Sequence, residues 1–310
     1  MTFVAVRLAR AFLTMLIVVS FAFVVLRLSG DPALAILTNE APPEALLAFR
    51  QSWGLDQPIL IQYLNYVRTI LGGDFGVSMR DGRDAFTVVA ERIPVTLAIT
   101  VPALVLSISI GVTAGICAAF SPNGRLDRGI MFGAVAGFTI PSFVLGLLLV
   151  LVFSVWFGVL PSGGAQRWTN AILPIVTLGV GSAATLARYT RAALLEVMNR
   201  PYVRTASAKG VPWRQTILNH ALPNAAVPML TILGFLVGQL IAGAVVVENV
   251  FSWPGVGRLL VASVASRDLA VVQCLLFFVA ATMIAANMVT DILYSLFDPR
   301  LRASANGGGR

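Results

Sequence analysis

Charge is what this chain has least of. Asp, Glu, Lys and Arg make up 12% of its 310 residues, against the ~25% usual for a soluble domain. Residues 129–166 and 221–247 carry no charge at all, and about 18 such residues are enough to cross a bilayer as a helix. One large soluble core is thereby excluded. Lysine is nearly absent: Lys209 stands beside 21 arginines. It is followed by Gly210 rather than a hydroxyl residue, and no G-x-x-x-x-G-K-[ST] occurs. Chains that consume ATP need that loop to hold the nucleotide phosphates, so this chain carries no such engine. His220 is the one histidine, which excludes a His-pair metal site within one chain; its bland role is a helix-end residue bonded to loop backbone. Cys117 and Cys274 lie in apolar segments without metal-ligand spacing and read as small packing residues. There is no G-x-S-x-G and no nucleophile–base constellation. No catalytic residue, metal site or cofactor is expected, and the chain is not read as an enzyme.

What is abundant is hydrophobicity, at 57% of residues and a mean hydropathy of +0.86. Six spans fall at roughly 9–28, 94–119, 129–157, 170–188, 226–247 and 271–295. Backbone groups in hydrocarbon must be satisfied internally, and runs this long and continuously apolar favour helices over a closed barrel. The expected class is an all-α membrane protein with six transmembrane helices. Its N-terminus imitates a signal peptide, with Arg7 and Arg10 ahead of an apolar run from Ala11 to Leu26. No A-x-A-like cleavage site follows, so the run reads as an uncleaved first span.

Net charge is +8. A basic balance can serve nucleic acid, but here it follows from the enrichment of Arg and Lys in cytoplasmic loops, and no nucleic-acid partner is expected. Six spans put both termini on one side. That side holds 13 Lys and Arg against Asp127, Glu196 and Asp298. The opposite side holds nine Arg, six of them in the long segment 27–92, where the rule is weak. Both termini are expected in the cytoplasm.

Residues 29–92 form an external helical module between spans one and two. Pro42-Pro43 precedes a short helix over Glu44–Trp53, and a second follows Pro58, with Ile59, Leu60, Tyr63, Leu64, Val67, Ile70 and Leu71 on or near one face. Gly72-Gly73-Asp74-Phe75-Gly76 ends it. About 60 residues make a small independent core, so the module is expected to lean on the external membrane surface. The other external connections are Leu160–Gly164 and Glu248–Asp268. The second holds Phe251, Trp253, Pro254 and Gly255 and is expected to dip toward the interface, where Trp is favoured.

Between spans four and five the chain spends residues 189–225 in water. Helix continues to Met198 and Pro201 breaks it. Val203–Lys209 is alanine-rich and helix-compatible, Gly210 offers a turn, Pro212 suits the start of a helix over Trp213–Ala221, and Pro223 turns the chain back toward the membrane. The product is a basic elbow whose small Ala206, Ser207 and Ala208 permit close approach. Insertion into a partner's groove and rest on anionic lipid headgroups weigh evenly on composition.

At this point the sequence resembles a family. Arg204-Thr205-Ala206, Gly210 and His220-Ala221-Leu222-Pro223 stand at the spacing of the EAA loop of binding-protein-dependent ABC importer permeases. Arg204 replaces Glu and His220 replaces Ile, departures that look like the peptide and nickel branch; Pro201 stands where that branch has Asp. Gly30-Asp31-Pro32, Leu55-Asp56-Gln57-Pro58, Gly73-Asp74-Phe75-Gly76, Ile140-Pro141-Ser142-Phe143, Glu248-Asn249-Val250-Phe251, Asp291-Ile292-Leu293-Tyr294 and Asp298-Pro299-Arg300 look like other signatures of that branch, in order along nearly the whole chain. The resemblance implies the type I ABC importer permease fold, in a multi-pass protein of the bacterial inner membrane. It divides the chain into a cytoplasmic N-terminus and first span (1–28), the module (29–92), a five-helix permease core (93–296) and a cytoplasmic tail (297–310). It implies a second homologous permease subunit, two ABC ATPase subunits, an external substrate-binding protein and surrounding membrane lipid as partners. The coupling set it implies is Val203, Arg204, Thr205, Ala206, Ser207, Ala208, Lys209, Gly210, His220, Leu222 and Pro223. Glu248, Phe251, Trp253, Pro254 and Gly255 are candidates for an external gate. The expected cargo is a di- or oligopeptide; nickel chelates and glutathione are the alternatives. An ATP-independent secondary carrier would show inverted repeats and membrane-depth charges, which are not evident.

Overall fold

A computed structural model describes residues 2–28, 30–37 and 41–297. Its helices run in the order α1 (Thr2–Leu28), α2 (Pro32–Leu37), α3 (Pro43–Ser52), α4 (Ile59–Leu71), α5 (Ala85–Ala90), α6 (Ile93–Phe120), α7 (Arg125–Thr139), α8 (Ser142–Leu149), α9 (Ile172–Met198), α10 (Pro201–Ala208), α11 (Trp213–Thr216), α12 (Leu222–Val250), α13 (Val256–Ala265) and α14 (Leu269–Phe297). Among the described residues there is no strand beyond one isolated bridge between Val77 and Asp84. Among the described residues five helical stretches are long and apolar enough to span a bilayer: Ala9–Leu28, Ala85–Phe120, Trp168–Met198, Leu222–Val250 and Leu269–Thr290.

The third expected span, 129–157, is not one continuous helix. Arg125–Thr139 and Ser142–Trp156 meet at a bend of 102°. Pro141 offers no N–H to the preceding turn, and its ring drives Ile140 out of the helical region, to φ −72° and ψ 120°. The two arms count as a sixth span only if taken together. The second arm ends in π-helical turns over Val150–Trp156.

The chain gathers into two compact units. One comprises residues 1–96 and 254–284, the other 97–253 and 285–310.

In the first unit the module helices α3 and α4 start at prolines and stop at Trp53 and Gly72, as the turn chemistry requires. The module's support is helical. Phe23 of α1, 2% exposed, stacks on Tyr66 at 5.6 Å and meets the edge of Tyr63 at 5.4 Å. Ser20 and Tyr63 share a hydrogen bond of 2.7 Å. Val88 and Val89 of α5 pack on Val271 and Leu275 of α14, with Phe75 and Phe278 closing over them. Cys274 is buried in that cluster, in keeping with its reading as a packing residue. Asp84 caps α5: the Thr87 hydroxyl and N–H both bond its carboxylate and hold it below the usual carboxylate range. Buried Asp268 accepts hydrogen bonds from the Ser78 hydroxyl and from Met79 N–H, tying the loop after α4 to the start of α14.

In the second unit α9 lies against α7, α8 and α12. It also receives α6 along a small-residue stripe spaced by fours, the pattern that lets helix backbones close up. A Cβ on Gly111 would fall 2.7 Å from Ala183 O, and one on Gly115 2.5 Å from Thr190 Cβ. The Ser107 hydroxyl donates across the same seam to Gly179 O at 3.0 Å.

Candidate functional site

The elbow grows from the end of α9. Arg191 grips Asp127 at the start of α7 in a bidentate pair, 2.5 Å from Nε to Oδ1 and 2.7 Å from Nη2 to Oδ2. Asn123 N–H adds a third bond to the same carboxylate at 2.8 Å. One turn earlier the Arg188 guanidinium lies 5.3 Å from the centre of the Phe138 ring. Glu196 and Arg200 pair across one exposed turn. The helix then stops at Met198, as expected of the approaching Pro201, which opens α10.

Helix α10 is held from beneath and open above. Val203 is 2% exposed, while Tyr202, Thr205, Ala208 and Lys209 are exposed. The exposed positions recur at three- and four-residue spacing and so share one face. Lys209 N–H donates to Thr205 O at 3.0 Å and Val211 N–H to Ala206 O at 3.2 Å, closing the helix C-terminus. Gly210 sits at φ +77°, and nothing lies within 4 Å of where its Cβ would be. This is the turn that the sequence offers at Gly210, a left-handed one that only glycine adopts without cost.

The second arm also differs from expectation. Trp213–Thr216 is followed by π-helical turns over Ile217–Ala221, and these run directly into α12 at Leu222. Pro223 therefore marks no break: it lies in the first turn of α12, which continues the π-helical turns. Thr216, Ile217 and Ala221 are buried. Ala221 joins Ala119, Ala193, Leu194, Ala225 and Met229 in one apolar cluster. The structure thus brings Val203, Thr205, Ala206, Ala208, Lys209, Gly210, Leu222 and Pro223 into one elbow rooted in α9 and α12. The side chains of Arg204, Ser207 and His220, and that of Asp291, lie outside the described set. So do all residues of Asp298-Pro299-Arg300 and of the rest of the tail.

At the other end of α12 lies a second cluster. Glu248, Phe251 and Trp253 are 0%, 1% and 5% exposed. Trp253 is therefore a core residue, not an interfacial one, and the connection past it is largely the helix α13. Trp253 N–H donates to Glu248 O at 2.8 Å, and Ser252 takes φ +50° to make the turn. Gly164 N–H donates to Phe251 O at 2.9 Å, and a Cβ on Gly163 would collide with that oxygen. Gly146 of α8 leaves the space that the Phe251 ring fills. The connections at 160–164 and after 248, which the sequence presents as separate loops, thus meet here. Pro254 and Gly255 fall in the first unit, where Arg92 donates to Pro254 O at 3.2 Å. The Asp127–Arg191 clamp and the Phe251–Gly164 lock were not foreseen; partners 64 and 87 positions apart leave no periodic signal.

Among the described residues no cluster of His, Cys, Asp or Glu could hold a metal ion. Among the described residues the geometry contains an exposed knuckle that carries Lys209 and a pinned turn at Phe251.

Residues 111–303 match the family described as "Binding-protein-dependent transport system inner membrane component". Residues 1–100 match its N-terminal companion, "Binding-prot-dependent transport system membrane comp, N-term". The glutathione transport system permease protein GsiC of Escherichia coli (strain K12) is 43% identical over 275 residues, 89% of this chain and 90% of that protein. The protein of the same name from Salmonella typhi is 41% identical over 303 residues, 97% and 99% of the two chains. Among solved structures, inward-facing MetNI methionine ABC transporter superposes with a TM-score of 0.59 at 20% identity, over 68% of this chain and 96% of that one. An amino acid ABC transporter with histidines gives 0.52 at 19% identity, over 69% and 94%. These two likenesses concern the fold alone.

Proposed function

The chain belongs to the family of binding-protein-dependent transport system inner membrane components, and on that premise we propose that its elbow, residues 201–223, is the joint through which separate ATPase subunits move it. The chain is the membrane-spanning permease subunit of an ABC importer, multi-pass in the inner membrane. In the proposed assembly it forms half of a channel with a second, homologous permease. Two ATPase subunits sit on the cytoplasmic elbows, and an external binding protein delivers the cargo. Both termini lie with the ATPases.

The observation that carries the reading is the two-sided character of α10. Its inner side, through Val203, is fixed to the protein, and its outer side presents Thr205, Ala208 and Lys209. A push on that face cannot be absorbed locally, because the second arm continues without a break into α12. It is passed to α12 and to α9 as rigid-body motion, the usual form of such transitions. Phe251 and Trp253, at the far end of α12, would feel the same displacement, which supports a role for that turn in opening the external side. The cargo is a small peptide; relatives above 40% identity carry glutathione in their names, and glutathione is a tripeptide.

The test is Ala208→Trp. Ala208 is exposed, so the bulk meets a partner before it meets the chain itself; Gly210→Trp would mix that effect with left-handed strain. In the reconstituted transporter, ATPase activity stimulated by peptide-loaded binding protein should fall more than ten-fold, with membrane insertion unchanged. Full stimulated activity in Ala208→Trp would leave the elbow as a basic loop on lipid headgroups and end the proposal.

A further inference from the structure

A cavity of about 170 Å³ lies inside the first unit, between α1, α4, the 74–79 loop and the start of α14. Three polar atoms of its lining residues are buried without a hydrogen-bond partner: Arg27 Nε, the Tyr66 hydroxyl and Gln62 Oε1. Such atoms are rare in folded proteins and call for a ligand or a reason. Two of the three are donors and one is an acceptor. The Gln62 amide nitrogen already donates to Leu55 O at 3.2 Å and Gln57 O at 2.6 Å, which fixes Oε1 as the end left over. Burial pushes the Tyr66 phenol above its ordinary pKa, so it stays a neutral donor. Asp74 adds a carboxylate to the lining, with Oδ1 accepting from Gly76 N–H at 2.7 Å. The residues that line the cavity therefore carry a cation and a donor suited to an oxyanion, and a carboxylate and an amide oxygen suited to an ammonium.

Its position narrows the occupant. Phe23 and Arg27 belong to the last turns of the apolar span Ala9–Leu28, and Leu269, Ala270 and Gln273 to the first turns of the span Leu269–Thr290. Both spans end at this cavity, so it lies at the level where they leave the hydrocarbon, the level of lipid headgroups. Apolar Phe75, Met79 and Leu269 complete the wall. A cavity near 150 Å³ holds a benzene-sized molecule, so the space suits a headgroup and is too small for an acyl chain.

We infer that this cavity seats the headgroup of a zwitterionic membrane phospholipid, with its phosphate on Arg27 and Tyr66 and its ammonium on Gln62 Oε1 and Asp74. The site holds the module to the membrane surface through a bound lipid as well as through protein contacts. The inference does not rest on the transport reading, since its test measures lipid retention and not uptake.

The experiment is native mass spectrometry of the full-length protein, extracted in mild detergent with its accompanying subunits and offered phosphatidylethanolamine and phosphatidylglycerol in equal amounts. The expected result is one retained phosphatidylethanolamine per chain in preference to phosphatidylglycerol. Retention should fall about ten-fold in Tyr66→Phe and in Arg27→Gln, the usual scale for a lost hydrogen bond to a charged group. Tyr66→Phe keeps the ring stacked on Phe23 and so tests the hydroxyl without unfolding the module. Equal retention in wild type and Tyr66→Phe, or no preference between the two lipids, overturns the inference. Displacement of the lipid by millimolar glycylglycine also overturns it, because the cavity then belongs to a soluble zwitterion.

Discussion

The contact most exposed to a single substitution is the pair Asp127–Arg191. The carboxylate is buried and accepts three hydrogen bonds, two of them from one guanidinium fork. Such a fork fixes direction as well as distance, here of α7 against α9. Removing one partner of a buried pair costs about 3–5 kcal/mol because the other charge is stranded. Arg191→Ala should therefore lower the thermal midpoint of the purified protein sharply. Asp127→Ala in the same chain should recover part of the loss, which a double-mutant cycle by thermal unfolding would read. Arg191→Lys should rescue poorly, since an ammonium cannot make both bonds. The sequence leads one to expect both residues on the cytoplasmic side but does not show that they meet. Charge scarcity made each visible; only the packing of α7 on α9 pairs them. Gly210 was legible for the opposite reason, because a lone glycine after an alanine-rich helix has few other uses.

Among elements, the long spans were legible because hydrophobic length is nearly sufficient to specify them. The exceptions have local causes. Ile140-Pro141 lies inside a charge-free run of 38 residues, 129–166, and composition there overrode the restriction that proline places on its neighbour. The short helices α2, α5 and α13 were not read, since six to ten residues in apolar connections give too little periodicity to separate helix from loop. If Pro141 sets the bend, Pro141→Ala should relax it. Residues 132 and 155 would stand ~35 Å apart along a straight helix, and the 102° bend brings them well inside that. Spin labels at Phe132 and Val155, both exposed, should report a longer distance in Pro141→Ala than in the parent. An unchanged distance would place the cause of the bend in tertiary packing.

Over the whole molecule, the units join segments far apart in sequence, and this was the least legible level. The module, read as 29–92, also packs on α1 and on α14, contacts that no local sequence pattern announces. The Asp268 carboxylate is the clearest tie, reaching Ser78 across 190 positions. Asp268→Ala leaves the Ser78 hydroxyl and Met79 N–H without their acceptor, a loss of ~1–3 kcal/mol. That loss falls on one loop. Limited proteolysis of the purified protein should cut between residues 74 and 84 faster in Asp268→Ala, and equal cutting rates would show the tie to be dispensable. The elbow was legible at this scale as an interruption of the spans, because a basic stretch stands out between apolar runs. Its seamless passage into α12 was not, because Pro223 carries the same letter whether it ends one helix or begins another.

The 190-residue reach from Ser78 to Asp268 also sets an order of events during biogenesis. Ribosomes add roughly 5–20 residues per second, so the N-terminal half of this unit emerges roughly 10–40 s before the strand of chain that completes it. For that interval Val88, Val89 and Phe75 have no α14 to cover them. The nascent chain must be chaperoned by lipid or by the insertion machinery until its last span arrives.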